Sequence, residues 1–351
     1  MDRLPEMTGA QDLFSRETLF PQFALYRNEL VNLIRVIFLI LTVAASAQTL
    51  ATPPAPQAVR SRSSAPPARK SAKQTTGEYG LPTRLAFLKD NSVKESSGLA
   101  ASRNVPGVYW THNDSGDGPF IYAFDGRGNR KGVWRVAGAS AFDWEDMSTG
   151  PGPVPGKNYL YIGDIGDNQE RRTEIVVYRV PEPAITGGNV SKSKAGLTEP
   201  AEIIRLRYPD GKHDAEALLV HPQTGNIYIV TKVPFANPGI YEAAAPLATN
   251  RKVTLARIGT LEVPSLLGGI ITGGAISPDG RRVAFCDYMQ GYEAVLPDAK
   301  ATFSAIWKQP LHSFGLGNRK QGEAITYRLD GKALLATSEG SPMPLFEVVR
   351  R

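Results

Sequence analysis

The chain has 351 residues, 42% of them hydrophobic, with 34 glycines and 27 prolines, which favours a turn-rich β fold with a large core. The formal net charge is +6, but residues 48–77 carry five Lys or Arg and no acid, whereas residues 78–351 carry 31 bases and 29 acids. Because the excess positive charge lies outside the folded part, nucleic-acid binding is excluded. The one cysteine, Cys286, excludes a disulfide within the chain.

The N-terminus has the pattern of a signal peptide. An apolar run at residues 36–43 is followed by Ala-Ser-Ala at 45–47, a small-x-small cleavage sequence. We therefore predict a signal peptide over residues 1–47 and a secreted or periplasmic protein without a membrane span after cleavage. An uncleaved N-terminal anchor is the alternative, although the run is shorter than the about 20 residues that cross a bilayer. Residues 1–30 are long for a charged leader region, so we expect the true start codon to lie downstream.

Residues 48–78 form a Pro, Ala, Ser and basic segment with almost no large apolar side chains. Such a segment cannot offset the entropy of its own ordering, so we predict a disordered linker here. The folded domain is predicted to span residues 79–351.

A unit recurs five times along this domain. Each unit has a short apolar strand, a Gly-containing turn, a second strand that ends in polar residues, and a strand with an aromatic residue. The units begin at Ser97, Glu145, Glu216, Thr272 and Glu323. Their turns contain Pro-Gly, Thr-Gly or Asp-Gly, and such glycines supply the positive φ of a tight hairpin. The turn glycines are Gly107, Gly156, Gly225, Gly280 and Gly331.

Outer fourth strands are predicted at residues 132–136, 202–206 and 253–258. Four-stranded antiparallel sheets repeated around an axis are the blades of a β-propeller. We therefore predict an all-β, single β-propeller of five blades, with six as the alternative if two units are merged. The long gap between the second and third units is explained by a loop at 185–200. The last unit lacks a fourth strand, so residues 83–88 are predicted to complete it and close the ring.

The Asp-Gly turns and Ile-Tyr strands resemble the broad family of bacterial propellers that includes β-propeller phytases, esterase-like phytase domains and gluconolactonase-type hydrolases. This resemblance covers most of residues 83–350 and implies a fold more than a function. Residues 111–116 (Thr-His-Asn-Asp-Ser-Gly), 143–146 (Asp-Trp-Glu-Asp) and 163–168 (Gly-Asp-Ile-Gly-Asp-Asn) are also similar to an uncharacterised class of exported bacterial propellers. No assigned activity comes with that resemblance.

Acidic residues recur where the innermost strands start, and those starts converge at one end of a propeller channel. Crowded carboxylates repel one another unless a cation lies among them or some are protonated, and oxygen ligands without His or Cys favour Ca²⁺. We therefore predict a Ca²⁺ site. The predicted metal ligands are Asp143, Glu145, Asp214, Glu216 and Glu323.

The ends of the second strands add further polar residues at the same end of the channel. The predicted ligand-binding residues are Asn113, Asp114, Asp164, Asp167, Asn168, Lys232, Asp287 and Glu339. The opposite interpretation is structural, because an acid at a strand end often accepts backbone N–H groups from a turn or neighbouring loop.

Other enzyme signatures are absent from the sequence. The four histidines have no zinc-site spacing, and no G-x-S-x-G motif occurs. No catalytic residue is therefore assigned. Two function classes remain open, a monomeric binding propeller for a small molecule, glycan or protein, and a metal-dependent hydrolase of phosphoesters or lactones.

Overall fold

The computed structural model describes residues 78–114, 116–187, 191–265 and 268–351. The predicted signal peptide lies outside these described residues, and so does the predicted linker except for Glu78. No helix within the described stretches is long and apolar enough to cross a membrane.

Five antiparallel four-stranded blades make up the fold, as the sequence predicts. The strands are numbered in chain order, and β1 (Thr83–Phe87) belongs to the last blade. Blade 1 consists of β2 (Ser96–Ala101), β3 (Val108–Asn113), β4 (Phe120–Asp125) and β5 (Arg130–Ala137). Blade 2 consists of β6 (Trp144–Pro151), β7 (Asn158–Asp164), β8 (Ile175–Pro181) and, after β9 (Gly196–Pro200), β10 (Glu202–Arg207).

The remaining blades follow the same plan. Blade 3 consists of β11 (Ala215–Val220), β12 (Ile227–Thr231), β14 (Gly239–Ala243) and β16 (Ala256–Thr260), with β13 (Val233–Pro234) and β15 (Val253–Thr254) between them in the chain. Blade 4 follows β17 (Gly268–Gly269) and consists of β18 (Gly273–Ile276), β19 (Arg282–Cys286), β20 (Gln290–Val295) and β21 (His312–Gly315). Blade 5 consists of β22 (Gly322–Tyr327), β23 (Ala333–Ser338), β24 (Pro344–Val349) and β1. Two short 3₁₀ helices, Lys192–Lys194 and Phe303–Lys308, lie in the connections.

The local turn chemistry explains the hairpins between the first two strands of each blade. All five predicted turn glycines have φ between 65° and 79°, a region that side-chain-bearing residues seldom adopt. The predicted closure of the ring is also confirmed. Strand β1 pairs antiparallel with β24, from Thr83 opposite Glu347 to Phe87 opposite Pro344.

Two of the predicted outer elements are wrong in detail. The last five residues of the segment 185–200 form β9, which adds to blade 1 as a fifth strand parallel to β5. The predicted strand at 253–258 is divided, because β15 pairs in parallel with β10 of blade 2 whereas β16 completes blade 3. Both additions cover the edge of a neighbouring blade, a long-range pairing that local patterns do not encode.

The hydrophobic core lies between consecutive blades. Every residue of the innermost strands β2, β11 and β22 is buried. Large aromatic side chains fill the spaces between sheets, and Trp110, Trp144, Tyr161, Tyr241 and Tyr292 are among the most buried. This packing holds the inner strands rigidly around the channel, so their first residues have fixed positions.

Candidate functional site

Three predicted metal ligands occupy equivalent places in three blades. The pairing register of the inner strand shifts at Glu145 in β6, at Glu216 in β11 and at Glu323 in β22. A β-bulge of this kind leaves one residue without a ladder partner and redirects its side chain. The repeated bulge explains why these glutamates come near one another in the channel. In blade 1 the corresponding shift contains Ser97 and Gly98 instead.

One side of the channel mouth brings three carboxylates into a single group. One oxygen each from Asp114, Asp143 and Glu145 lies within 4.8 Å of the others. Gly166 lies directly against the group, since a Cβ on it would lie 2.2 Å from Glu145 Oε1 and 2.5 Å from Asp143 Oδ2. Asp143 and Glu145 come from the predicted metal set, and Asp114 comes from the predicted ligand set.

The other predicted metal ligands lie around Lys232. The Lys232 ammonium donates a hydrogen bond to Glu216 Oε1 and another to the Tyr288 hydroxyl at 2.9 Å. Glu216 is only 5% exposed, and its second oxygen, Oε2, has no hydrogen-bond partner among the described residues. Glu323 accepts a hydrogen bond from the Gln321 amide at 2.9 Å. The sequence-based prediction did not include Tyr288, although its position directly after the predicted ligand residue Asp287 could have indicated it.

Burial controls the protonation of these carboxyls. Burial, and then the charges of Asp114 and Asp214, raises the pKa of Asp143 to about 7. Burial also raises the pKa of Glu216 to about 7, although the Lys232 ammonium opposes the rise. Both carboxyls therefore hold a proton to a higher pH than an exposed carboxyl does.

The remaining ring glutamates and the lysine follow the same rules. Burial and the charge of Glu216 raise the pKa of Glu145 and Glu323 well above the usual range. Burial opposes the charged form of Lys232, but the nearby charges, led by Glu216, raise its pKa, so it stays an ammonium. We call the set Asp114, Asp143, Glu145, Asp214, Glu216, Lys232 and Glu323 the acidic mouth.

A second cation, which the sequence analysis did not single out, borders the acidic mouth. The Arg172 guanidinium lies 2.8 Å from Asp164 Oδ1 and 2.8 Å from the Gly166 carbonyl oxygen, to which it donates. Asp167, in turn, accepts the backbone N–H groups of Arg171 and Arg172. These bonds give Asp164 and Asp167 the role of positioning the loop that carries Gly166.

Other predicted ligand residues also have structural roles. Asn113 accepts two backbone N–H groups of segment 92–95 and donates to a carbonyl oxygen there. Asp287 accepts the backbone N–H groups of Met289 and Gln290, both at 2.7 Å, within its own turn.

The last three predicted residues differ in their surroundings. Asp214 accepts the backbone N–H of Asp167 at 2.8 Å, and burial raises its pKa. Asn168 is exposed, and the half-buried Glu339 contributes a charge that raises the pKa of Glu323.

Asp146 shows how a strand-start carboxylate can serve the fold. This fully buried side chain accepts backbone N–H groups from Met147 at 2.8 Å, Leu218 at 2.9 Å and Gly274 at 3.2 Å. The three donors belong to blades 2, 3 and 4, so one carboxylate joins three blades around the channel. Its neighbour in sequence, Glu145, belongs to the acidic mouth.

Comparisons with known proteins do not indicate a function for this chain. Neither the protein-family models nor the curated proteins contain a match. Among solved structures, a chain of hydrazine synthase from Kuenenia stuttgartiensis has 9% identity and a TM-score of 0.39, covering 73% of this chain and 83% of that chain. A chain of a nidogen/laminin complex has 16% identity and a TM-score of 0.39, covering 70% of this chain and 73% of that chain. The resemblance to phytase-like and gluconolactonase-type propellers therefore stays an expectation.

Proposed function

We propose that this protein is an exported ligand-binding propeller whose binding face is the acidic mouth, and that Ca²⁺ binds there. The observation that carries the proposal is the group of oxygens from Asp114, Asp143 and Glu145 within 4.8 Å of one another. Ca²⁺ takes oxygen ligands at about 2.3–2.6 Å, so oxygens at this separation fit around one ion. Glu216 Oε2 is a further buried acceptor of the acidic mouth, with no hydrogen-bond partner among the described residues.

The surroundings of this group favour a hydrated ion. Asp114 and Asp143 are half-buried, so water has access to their side of the group. The three carboxylates supply fewer than the about six to eight oxygens that Ca²⁺ requires, and water supplies the rest. The positive charge of the ion would favour the ionised forms of Asp143 and Glu145, which burial otherwise disfavours.

Added Ca²⁺ is expected to raise the melting temperature, and EDTA to reverse the rise. A ligand at 100 times its Kd stabilises the folded state by about 2.7 kcal/mol, which is about 5 °C or more for a domain of this size. The response should be larger at about pH 8 than at about pH 5, because carboxyls with raised pKa values bind protons in the acid range. Such groups stabilise the metal-free fold below their unfolded pKa, and that stability is lost as the pH rises through about 7.

Substitutions distinguish a carboxylate that binds the metal from one that only supports a loop. Asp143→Asn should remove the Ca²⁺ response and leave the metal-free melting temperature similar or higher, because repulsion is relieved. Glu216→Gln should weaken the response but lower the metal-free melting temperature, because the buried Lys232 ammonium loses its carboxylate partner. Glu199→Gln, at an exposed position on β9, is the matched control and should keep the full response. A melting curve of the parent protein that is independent of Ca²⁺ would reject the metal site.

Gly166→Ala tests the geometry of the same group without removing a charge. The added Cβ would overlap Glu145 Oε1 and Asp143 Oδ2, and these flexible side-chain ends can rotate away. We expect the variant to fold but to bind Ca²⁺ at least tenfold more weakly by calorimetric titration. Gly126→Ala is the control, since a Cβ there meets no atom within 4 Å. Unchanged affinity in Gly166→Ala would place the ion elsewhere.

A metal-dependent hydrolase of phosphoesters or lactones is the second candidate. It is favoured by carboxyls whose pKa is about 7, which suits general acid and base chemistry at neutral pH. Lys232 and Tyr288 would supply donors to an anionic oxygen. This candidate requires Ca²⁺-dependent turnover of phytate or a sugar lactone, and Asp143→Asn must abolish that turnover. If no such turnover is measured, the binding function is the one that remains.

A further inference from the structure

Three exposed apolar residues lie close in sequence to residues of the acidic mouth or to their hydrogen-bond partners. Phe142 is 69% exposed, Phe235 is 73% exposed and Met289 is 54% exposed. Phe142 directly precedes Asp143, Met289 directly follows Tyr288, and Phe235 lies three residues after Lys232. We call these three residues the rim. They come from connections next to blades 2, 3 and 4, so they follow the mouth across several blades.

The backbone holds Phe235 in an unfavourable conformation while its ring stays in solvent. Its φ is 60°, which for a bulky side chain costs on the order of 1–3 kcal/mol. The short ladder between β13 and β17 brackets the turn, and a Cβ on Gly268 would lie 2.8 Å from Phe235 Cα. The fold therefore keeps this turn in place without burying the aromatic ring.

Phe142 is fixed by a charged neighbour. The Arg172 guanidinium lies 5.0 Å from the centre of the Phe142 ring, and the same guanidinium pairs with Asp164. The backbone N–H of Phe142 also donates to Asp164 Oδ2 at 3.1 Å. The aromatic group is thus positioned next to the carboxylates rather than free to leave them.

The mouth inside the rim is rich in carboxyl groups. It contains six carboxyl groups and one ammonium, and Glu216 Oε2 is buried without a hydrogen-bond partner among the described residues. An occupant that complements this arrangement has a cationic group for the carboxylates and apolar groups for the rim. A basic side chain between apolar neighbours has both.

We propose that the acidic mouth and the rim together bind a peptide segment of a partner protein, which places a Lys or Arg side chain among the carboxylates and lays apolar neighbours on Phe142, Phe235 and Met289. A peptide is favoured over a small amine because a peptide can reach exposed rim residues from three blades as well as the carboxylates. The inference rests on the proposed function only in using the acidic mouth as the binding face. Ca²⁺ and the basic side chain compete for the same carboxylates.

A random heptapeptide library displayed on phage, selected on the purified protein in EDTA, tests this inference. We expect enriched peptides to contain Lys or Arg beside an aromatic or aliphatic residue. Their synthetic forms should bind at least tenfold more weakly to Phe235→Ala and to Asp143→Asn. Leu197→Ala is the matched control, because Leu197 is 68% exposed but lies on the outer strand β9. The affinity of the Leu197→Ala variant for the peptides should equal that of the parent protein.

The outcomes distinguish this inference from the Ca²⁺ proposal. Peptide binding that Ca²⁺ weakens supports both. A Ca²⁺ response without peptide enrichment overturns the inference and leaves the Ca²⁺ site in place. Peptide binding without a Ca²⁺ response supports the inference and rejects the Ca²⁺ site. Enriched peptides that lack a basic residue, or that bind Phe235→Ala as tightly as the parent, overturn the inference. Spermidine binding as tight as the peptides would assign the mouth to free amines instead.

Discussion

Deleting residues 1–88 is expected to abolish cooperative unfolding, whereas deleting residues 1–77 is expected to leave the melting temperature almost unchanged. The longer deletion removes β1, the fourth strand of blade 5, and exposes the edge of β24. It also removes Leu88, which is buried in the same hydrophobic cluster as Met343 and Leu345. Circular dichroism during thermal unfolding of both truncated proteins measures the difference.

The magnitude follows from what the longer deletion removes. Tyr79 is stacked on Phe314 with ring centres 4.5 Å apart, and its hydroxyl donates to the buried Glu293. Together with the strand pairing and the burial of Leu88, these contacts are worth on the order of 5 kcal/mol, a large share of a typical stability of about 5–15 kcal/mol. A fragment of residues 89–351 that unfolds cooperatively near the parent temperature would contradict the closure.

A pair of point variants on the same segment gives a graded control. Leu88→Ala should cost about 2–4 kcal/mol because it leaves a cavity in a packed cluster. Leu85→Ala, at a residue that is largely exposed on β1, should cost less than about 1 kcal/mol. A cost below about 1 kcal/mol at Leu88 as well would show that the segment contributes no packing of its own.

Asp146→Ala is expected to destabilise the fold by about 3–9 kcal/mol. The substitution leaves the N–H groups of Met147, Leu218 and Gly274 buried without their acceptor, at a cost of about 1–3 kcal/mol each. Urea unfolding measures the change. Asp143→Ala, three residues earlier, is the matched control and should cost less than about 1 kcal/mol without metal, because repulsion within the acidic mouth is relieved.

Asp146→Asn extends the same test. The remaining amide oxygen can still accept from the backbone of a neighbouring blade, so the loss should be smaller than for Asp146→Ala. Equal destabilisation by Asp146→Ala and Asp143→Ala would contradict a structural role for Asp146 and a ligand-binding role for Asp143.

The sequence by itself determined the blade plan. The hairpin turns depend on single glycines, such as Gly280 after Asp279, whose conformational preference is local and therefore readable. The closing strand was also predictable, because five units left one apolar segment near Leu85 and one blade that lacked a strand. The acidic starts of the inner strands were visible for the same reason, since a repeat places equivalent residues at equivalent points.

Only the tertiary structure decided what each acid does. Glu145 and Asp146 are adjacent in the chain, yet a shift in strand register sends one toward the channel mouth and leaves the other among the N–H groups of three blades. The pairing of Lys232 with Glu216, the position of Arg172 and the added strand β9 likewise depend on contacts between distant segments. Residue spacing records the period of a repeat, but side-chain direction and burial are fixed only when the blades pack together.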